Sequence, residues 1–158
     1  MLNKHNRALG PGNMMKKHFI TLLLLLTTGF LVYGQATDPI VTNCAMNIGA
    51  DAKYLKDFRI QLGKSAAKSE LRYKANISLW KNTKYRFTMC TTDGSKGQLI
   101  FNIKDETNKV VLTSFDQKSG KIYPVVDFEC RKSGIYHLNY DFVNGEQGSG
   151  VGIVSMVK

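Results

Sequence analysis

Histidine is scarce in this chain. Three occur in 158 residues, and two of them, His5 and His18, precede residue 35, which leaves His137 alone in the body of the protein. A nucleophile, base and orienting acid must touch one another to work as a triad. Ser133 or Ser155 with His137 and Asp127 or Asp141 has no sequence pattern that would assemble it. Zinc ligands come in closely spaced pairs of Cys and His, and Cys44, Cys90 and Cys130 are far apart. A phosphate-binding loop needs glycines between a strand and a helix. Gly49, Gly148, Gly150 and Gly152 instead read as backbone relief in turns and in a bulged last strand. No basic stripe of the nucleic-acid-binding kind is present either. Beyond residue 34 the longest basic run is Arg131-Lys132, and the other lysines are scattered singly. The chain also lacks an apolar run of the roughly 20 residues that cross a bilayer.

The shorter apolar run that is present carries more information. Met14 to His18 is basic, Phe19 to Leu26 is apolar, Thr27 to Tyr33 continues it with hydroxyls, and small Gly34 precedes Gln35. This order predicts a secretory signal peptide over residues 14–34, cut before Gln35. Residues 1–13 add nothing that export requires and read as an upstream extension, with translation starting at Met14 or Met15. No cysteine stands at the cut, so no lipid anchor is expected and the mature chain is expected in the periplasm or outside the cell. Cleavage would leave 124 residues, enough for one domain with one core. It would also lower the formal charge of +10 by four, through loss of Lys4, Arg7, Lys16 and Lys17. A scattered positive excess of that size keeps a surface solvated.

Past an N-terminal arm at 35–47, nearly everything alternates. Phe58, Ile60 and Leu62 share one face, as do Leu71, Tyr73, Ala75, Ile77 and Leu79, then Tyr85, Phe87 and Met89, then Leu99, Phe101 and Ile103. Period-2 alternation marks half-buried strands. Further strands are predicted at 109–113, 122–130, 135–142 and 151–157, with Pro124 at an edge or bulge because it cannot donate to a ladder. Only 48–56 has room for a helix. The connections are too short for parallel crossovers. About eight antiparallel strands over 48–158 therefore predict an all-β, two-sheet sandwich of jelly-roll type, with a flattened barrel as the alternative. The predicted core is Phe58, Ile60, Leu79, Tyr85, Phe87, Leu99, Phe101, Phe128, Tyr136 and Leu138.

An oxidising destination and three cysteines imply one bridge and one spare thiol. Cys90 with Cys130 is the preferred pair, since each ends a predicted core strand; Cys44 is the alternative partner, and three reduced, buried thiols are the third state. Asp127 with Glu129 on one strand, and Asp105-Glu106 in a turn, read as solvated charges, not as a glycosidase pair facing across a cleft. The Asp93 and Asp105 turns lack the ligand series of an EF-hand, so neither metal nor cofactor is expected. Asn76-Ile77-Ser78 matches a glycosylation sequon but lies mid-strand. Two aromatic residues stand at strand or turn margins, Trp80 and Tyr123, where a flat ring can stack on a ligand. Large rings at such positions also cap cores. Trp80 is expected to cap, and Tyr123 to be exposed.

Several segments together carry a likeness. Ile77-Ser78-Leu79 before a polar turn, Lys84 to Thr88, Gly97 to Asp105, Val126-Asp127-Phe128, and Ser133-Gly134-Ile135-Tyr136-His137-Leu138 resemble the bacterial pre-peptidase C-terminal type of β-sandwich. The likeness spans about residues 71–140. It implies a β-sandwich that accompanies exported enzymes without being catalytic, although here no peptidase or glycosidase segment precedes it. The expectation is an exported binding or accessory module, with an extracellular glycan or a cell-surface protein as partner. An assembly protein acting through edge strands is the alternative, and a small hydrolase the third reading.

Overall fold

The computed structural model describes residues 38–65 and 71–158. The expected upstream extension and signal peptide lie outside them. One short helix, α1 (Pro39–Ala45), is followed by a 3-10 turn and ten strands: β1 (Ala52–Leu62), β2 (Tyr73–Leu79), β3 (Thr83–Thr91), β4 (Leu99–Lys104), β5 (Val110–Thr113), β6 (Phe115–Asp116), β7 (Lys121–Ile122), β8 (Val125–Cys130), β9 (Gly134–Phe142) and β10 (Gly148–Val157). The strands form one sheet in the order β1-β10-β3-β8, a second in the order β2-β9-β4-β5, and a β6-β7 hairpin. Every pairing is antiparallel. Apart from α1, the described residues are all-β, as the alternation predicts.

Two expectations about elements are corrected. The helix lies within the predicted arm, not at 48–56. Asp38 accepts a hydrogen bond from the Ile40 amide at 3.1 Å and Pro39 occupies the first turn, a cap and start that suit a helix N-terminus. Residues from Ala52 onward belong instead to β1, whose first half is exposed and slips register between Tyr54 and Lys56, which erases the alternation there. The predicted strand at 122–130 is also two strands, broken at Tyr123-Pro124. Pro124 takes part only as an acceptor, its carbonyl receiving the Met89 amide at 2.8 Å.

The inward faces of the two sheets share one apolar cluster. A ring chain crosses it: Phe58 of the first sheet meets Tyr140 of the second at 6.1 Å, Tyr140 meets Phe101 at 5.9 Å, and Phe101 returns to Phe87 of the first at 5.5 Å. Offset and tilted ring pairs at such distances add to what area burial provides. All ten predicted core residues lie in or against this cluster, with Phe128 only partly buried. Gly152 makes the crossing possible, because a Cβ there would overlap the Tyr140 hydroxyl. On the other side of the first sheet, α1 lays Val41 and Cys44 over Val151 and Ile153, closing a second, smaller apolar cluster.

The disulfide joins Cys44 of α1 to Cys90 of β3. The preferred Cys90–Cys130 pair is thereby corrected, and the reason is parity. Tyr85, Phe87 and Met89 point inward from β3, so Cys90 points outward toward α1; Cys130 points inward with Val126 and Phe128 and is a buried free thiol. The two sulfurs lie on opposite faces of one sheet.

Candidate ligand-binding groove

The second sheet carries an unusual outer face. Its inner residues on β9 are Tyr136, Leu138, Tyr140 and Phe142, which turns His137, Asn139 and Asp141 outward; β4 likewise turns Ile100, Asn102 and Lys104 outward. Register aligns these side chains into rows. Asn76, His137 and Lys104 form one row, Lys74, Asn139, Asn102 and Thr113 the next, and Asp141 with Ile100 the third. Outward polar residues of a sheet are ordinarily solvated, yet Asn139 and Asp141 are each only 5% exposed. The face is sunk into a groove of about 450 Å³, walled by Phe115 and Gln117 on the β6-β7 side and by Leu71, Asn144 and Gly145 at one end.

Asn139 donates from Nδ2 to Asn102 Oδ1 at 2.9 Å. That bond uses one donor and one acceptor of the pair. Asn139 Oδ1 and Asn102 Nδ2 make no further hydrogen bond among the described residues, and neither is a sealed atom. The pair thus offers an acceptor and a donor side by side. Asp141 closes one end of the groove. Its carboxylate receives Arg72 Nη2 at 2.6 Å, Arg72 Nε at 3.0 Å and the Phe142 amide at 2.7 Å. Arg72 in turn donates to the carbonyls of Glu146 and Gly63, so a charge-assisted fork fixes the loops around the groove. Asp141 raises the Arg72 pKa still further, by that hydrogen bonding.

A larger cleft of about 650 Å³ lies elsewhere, between the β4-β5 turn, β8, the β8-β9 turn and the start of β9. It brings Asp105, Glu106, Asp127 and Glu129 together, which corrects the expectation that these two carboxylate pairs share no concavity. Three of these four charges are engaged within the fold, however. Asp105 is held below the usual carboxylate range by Thr107, whose hydroxyl and amide it accepts, and by the Lys109 amide. Asp127 is held low by Arg86 and by Lys84, at 2.7 and 3.0 Å. Glu106 pairs with Lys132, and the Tyr136 hydroxyl donates to the Lys132 carbonyl at 2.7 Å. Burial, then the hydrogen bond with Cys130, pushes the Tyr136 pKa up to about 12. A general acid needs a raised carboxyl pKa, and Asp105 and Asp127 are shifted the other way.

The remaining candidates are dispersed. His137 shares a 2.9 Å hydrogen bond with Asn76, Ser133 accepts from the Lys81 amide, and Ser155 is buried and donates to the Arg86 carbonyl. The structure does not unite them. Trp80 is 68% exposed, which reverses the expected core capping: Leu79 faces inward, so the next residue faces out. Tyr123 is 41% exposed as expected, with the Lys121 ammonium 4.8 Å from its ring centroid. The two rings do not share a site. Trp80 lies by the start of β3 and Tyr123 by Met89, six residues or roughly 20 Å along that strand. Among the described residues no three His, Cys, Asp or Glu side chains gather as a metal site, and no helix is long and apolar enough to cross a membrane.

Asn102 and Asn139 carry no local signal in the sequence. Each is an outward residue of a strand whose inward residues are plain, and only the β4-β9 register, set over a separation of 37 residues, makes them a pair. Comparison with models of known protein families found no match, and comparison with curated proteins found none.

Proposed function

We propose that this chain is an exported, non-catalytic sandwich of jelly-roll type that binds carbohydrate in the groove on its second sheet. Two features support the fold reading. With the β6-β7 hairpin set aside, eight strands fall into two sheets of four, in the orders 1-8-3-6 and 2-7-4-5. Successive strands then cross from sheet to sheet at every step except one, the interleaving of two Greek keys. The segments that resemble the pre-peptidase C-terminal sandwich also fall on strands or their margins: β2, β3, β4, β8 and β9.

The observation that carries the function is the open Asn102–Asn139 amide pair in a walled groove. A sugar hydroxyl donates and accepts at once, which matches a neighbouring donor and acceptor held on rigid strands. Phe115 in the wall supplies an apolar ring for a sugar face. The seat is therefore the groove, not Trp80 or Tyr123. Assembly through edge strands is the weaker reading, because three of the four sheet edges are blunted and the fourth, β2, is short and carries Lys74. β1 slips register at Leu55 between Lys53 and Lys56, β5 slips at Val111, and β8 follows Pro124 and carries Asp127 and Glu129. Bulges, Pro and charge are the usual defences of an edge.

A glycan array probed with the protein recovered after export tests this. Wild type is expected to be retained on at least one glycan class, and Asn102→Ala to lose that retention while still unfolding cooperatively, its melting temperature lowered only by the bond lost to Asn139. Absence of retention on every glycan, or its loss in Trp80→Ala while Asn102→Ala keeps it, would overturn the proposal.

A further inference from the structure

We infer that the groove selects acidic polysaccharide, meaning sugars that carry a carboxylate beside their hydroxyls; this rests on the carbohydrate reading above. The ground is the charge left over once internal pairs are removed. Asp141 is the one acid lining the groove among the described residues, and Arg72 holds it through both carboxylate oxygens. Of the two lysines that line the groove, Lys74 is already engaged within the chain, so Lys104 is the charge that counts. Lys104 is half-buried and makes no ion pair among the described residues. Its ammonium has no carboxylate of its own chain among the described residues, so an incoming one meets an unneutralised charge in a partly enclosed groove.

Placement fits the same ligand. Asn102 and Lys104 stand on one face of β4, two residues or roughly 7 Å apart. A hexuronate presents hydroxyls at one edge of its ring and a carboxylate at another, so one sugar can meet the amide pair and the ammonium together. Lys74 sits in the same row as Asn139 and Asn102, at the opposite edge of the sheet from Thr113. The larger cleft offers a poorer complement, since four carboxylates line it against Arg131 and Lys132, and Lys132 is already paired.

Calorimetric titration with oligogalacturonate and oligoalginate, each beside its methyl-esterified form, separates the two claims, because esterification removes the charge and keeps the hydroxyls. At least one acid form is expected to bind about tenfold more tightly than its ester at low salt, with the margin shrinking as salt rises. Lys104→Met is expected to abolish the margin and keep binding of the ester, whereas Asn102→Ala loses both. Equal binding of acid and ester would overturn this inference while leaving the carbohydrate reading intact. Binding of none of the four would overturn this inference, and with an empty glycan array the carbohydrate reading as well. Single-stranded oligothymidylate bound as tightly as the acid sugars, and displaced by Lys104→Met, would overturn the sugar selectivity. Melting curves of both variants serve as the fold control.

Discussion

At the scale of single residues, inside and outside separate cleanly. Phe101 is fully buried and touches rings of both sheets. Truncating it to Ala is expected to cost about 3 to 5 kcal/mol, a large share of the roughly 5 to 15 kcal/mol of a small domain, read as a fall in the denaturant midpoint. Trp80→Ala, at a position 68% exposed, is expected to stay within about 0.5 kcal/mol of wild type. The same comparison in the opposite order would mean that β2 presents its other face.

Asp127 supplies the pH test. Arg86 and Lys84 hold its carboxyl below the unfolded value. A depressed folded pKa contributes stability that is complete above the unfolded pKa and disappears as pH falls through the folded one. Unfolding midpoints followed downward from neutral pH are therefore expected to drop below about pH 4. In Asp127→Asn they should start lower and fall less steeply. Parallel profiles would remove Asp127 from the acid-sensitive set.

At the scale of elements, the disulfide makes α1 part of the domain. Cys44 and Cys90 are 46 residues apart, a loop whose closure is worth about 4 kcal/mol in the chain-entropy model. Thiol titration is expected to find no reactive cysteine in the folded protein and one after denaturation, namely Cys130. Two or three thiols on denaturation would contradict the bond. Cys44→Ser is expected to cost about 2 to 4 kcal/mol and to expose Val151 and Ile153, which α1 covers.

Most of this level was legible beforehand. Strands with strict alternation were visible because one face meets the core and the other meets water, yet the preferred Cys90–Cys130 pair ignored the parity at Tyr85, Phe87 and Met89, which turns Cys90 away from an inward Cys130. What stayed hidden depends on partners distant in sequence. The first half of β1 is an exposed edge without a pattern, α1 is only seven residues long, and the groove exists because the β6-β7 hairpin and the Asn144–Gly145 turn rise beside a sheet face that alternation alone would leave open to solvent.

At the scale of the whole molecule, export is the claim that most constrains the rest. The mass of the protein recovered outside the cytoplasm is expected to correspond to a chain beginning at Gln35 with one disulfide and no lipid. A mass that includes residues 19–33, or an acyl group, would contradict export as a free chain. The reduced protein, lacking the bond, would be two daltons heavier than the oxidised one, so the same spectrum reports the bridge.

The order of the cysteines along the chain has a kinetic consequence. A polypeptide delivered amino end first presents Cys44, then Cys90, then Cys130, and the native bond joins the first two. It can close before the third thiol has emerged, which limits the time in which a wrong partner competes. Once β8 has paired with β3, Cys130 is sealed in the core and no longer reaches any sulfur. In a chain exported as proposed, correct pairing would be guarded first by timing and then by burial, and a full-length chain oxidised while unfolded, with all three thiols present at once, is the case in which mispaired species should accumulate.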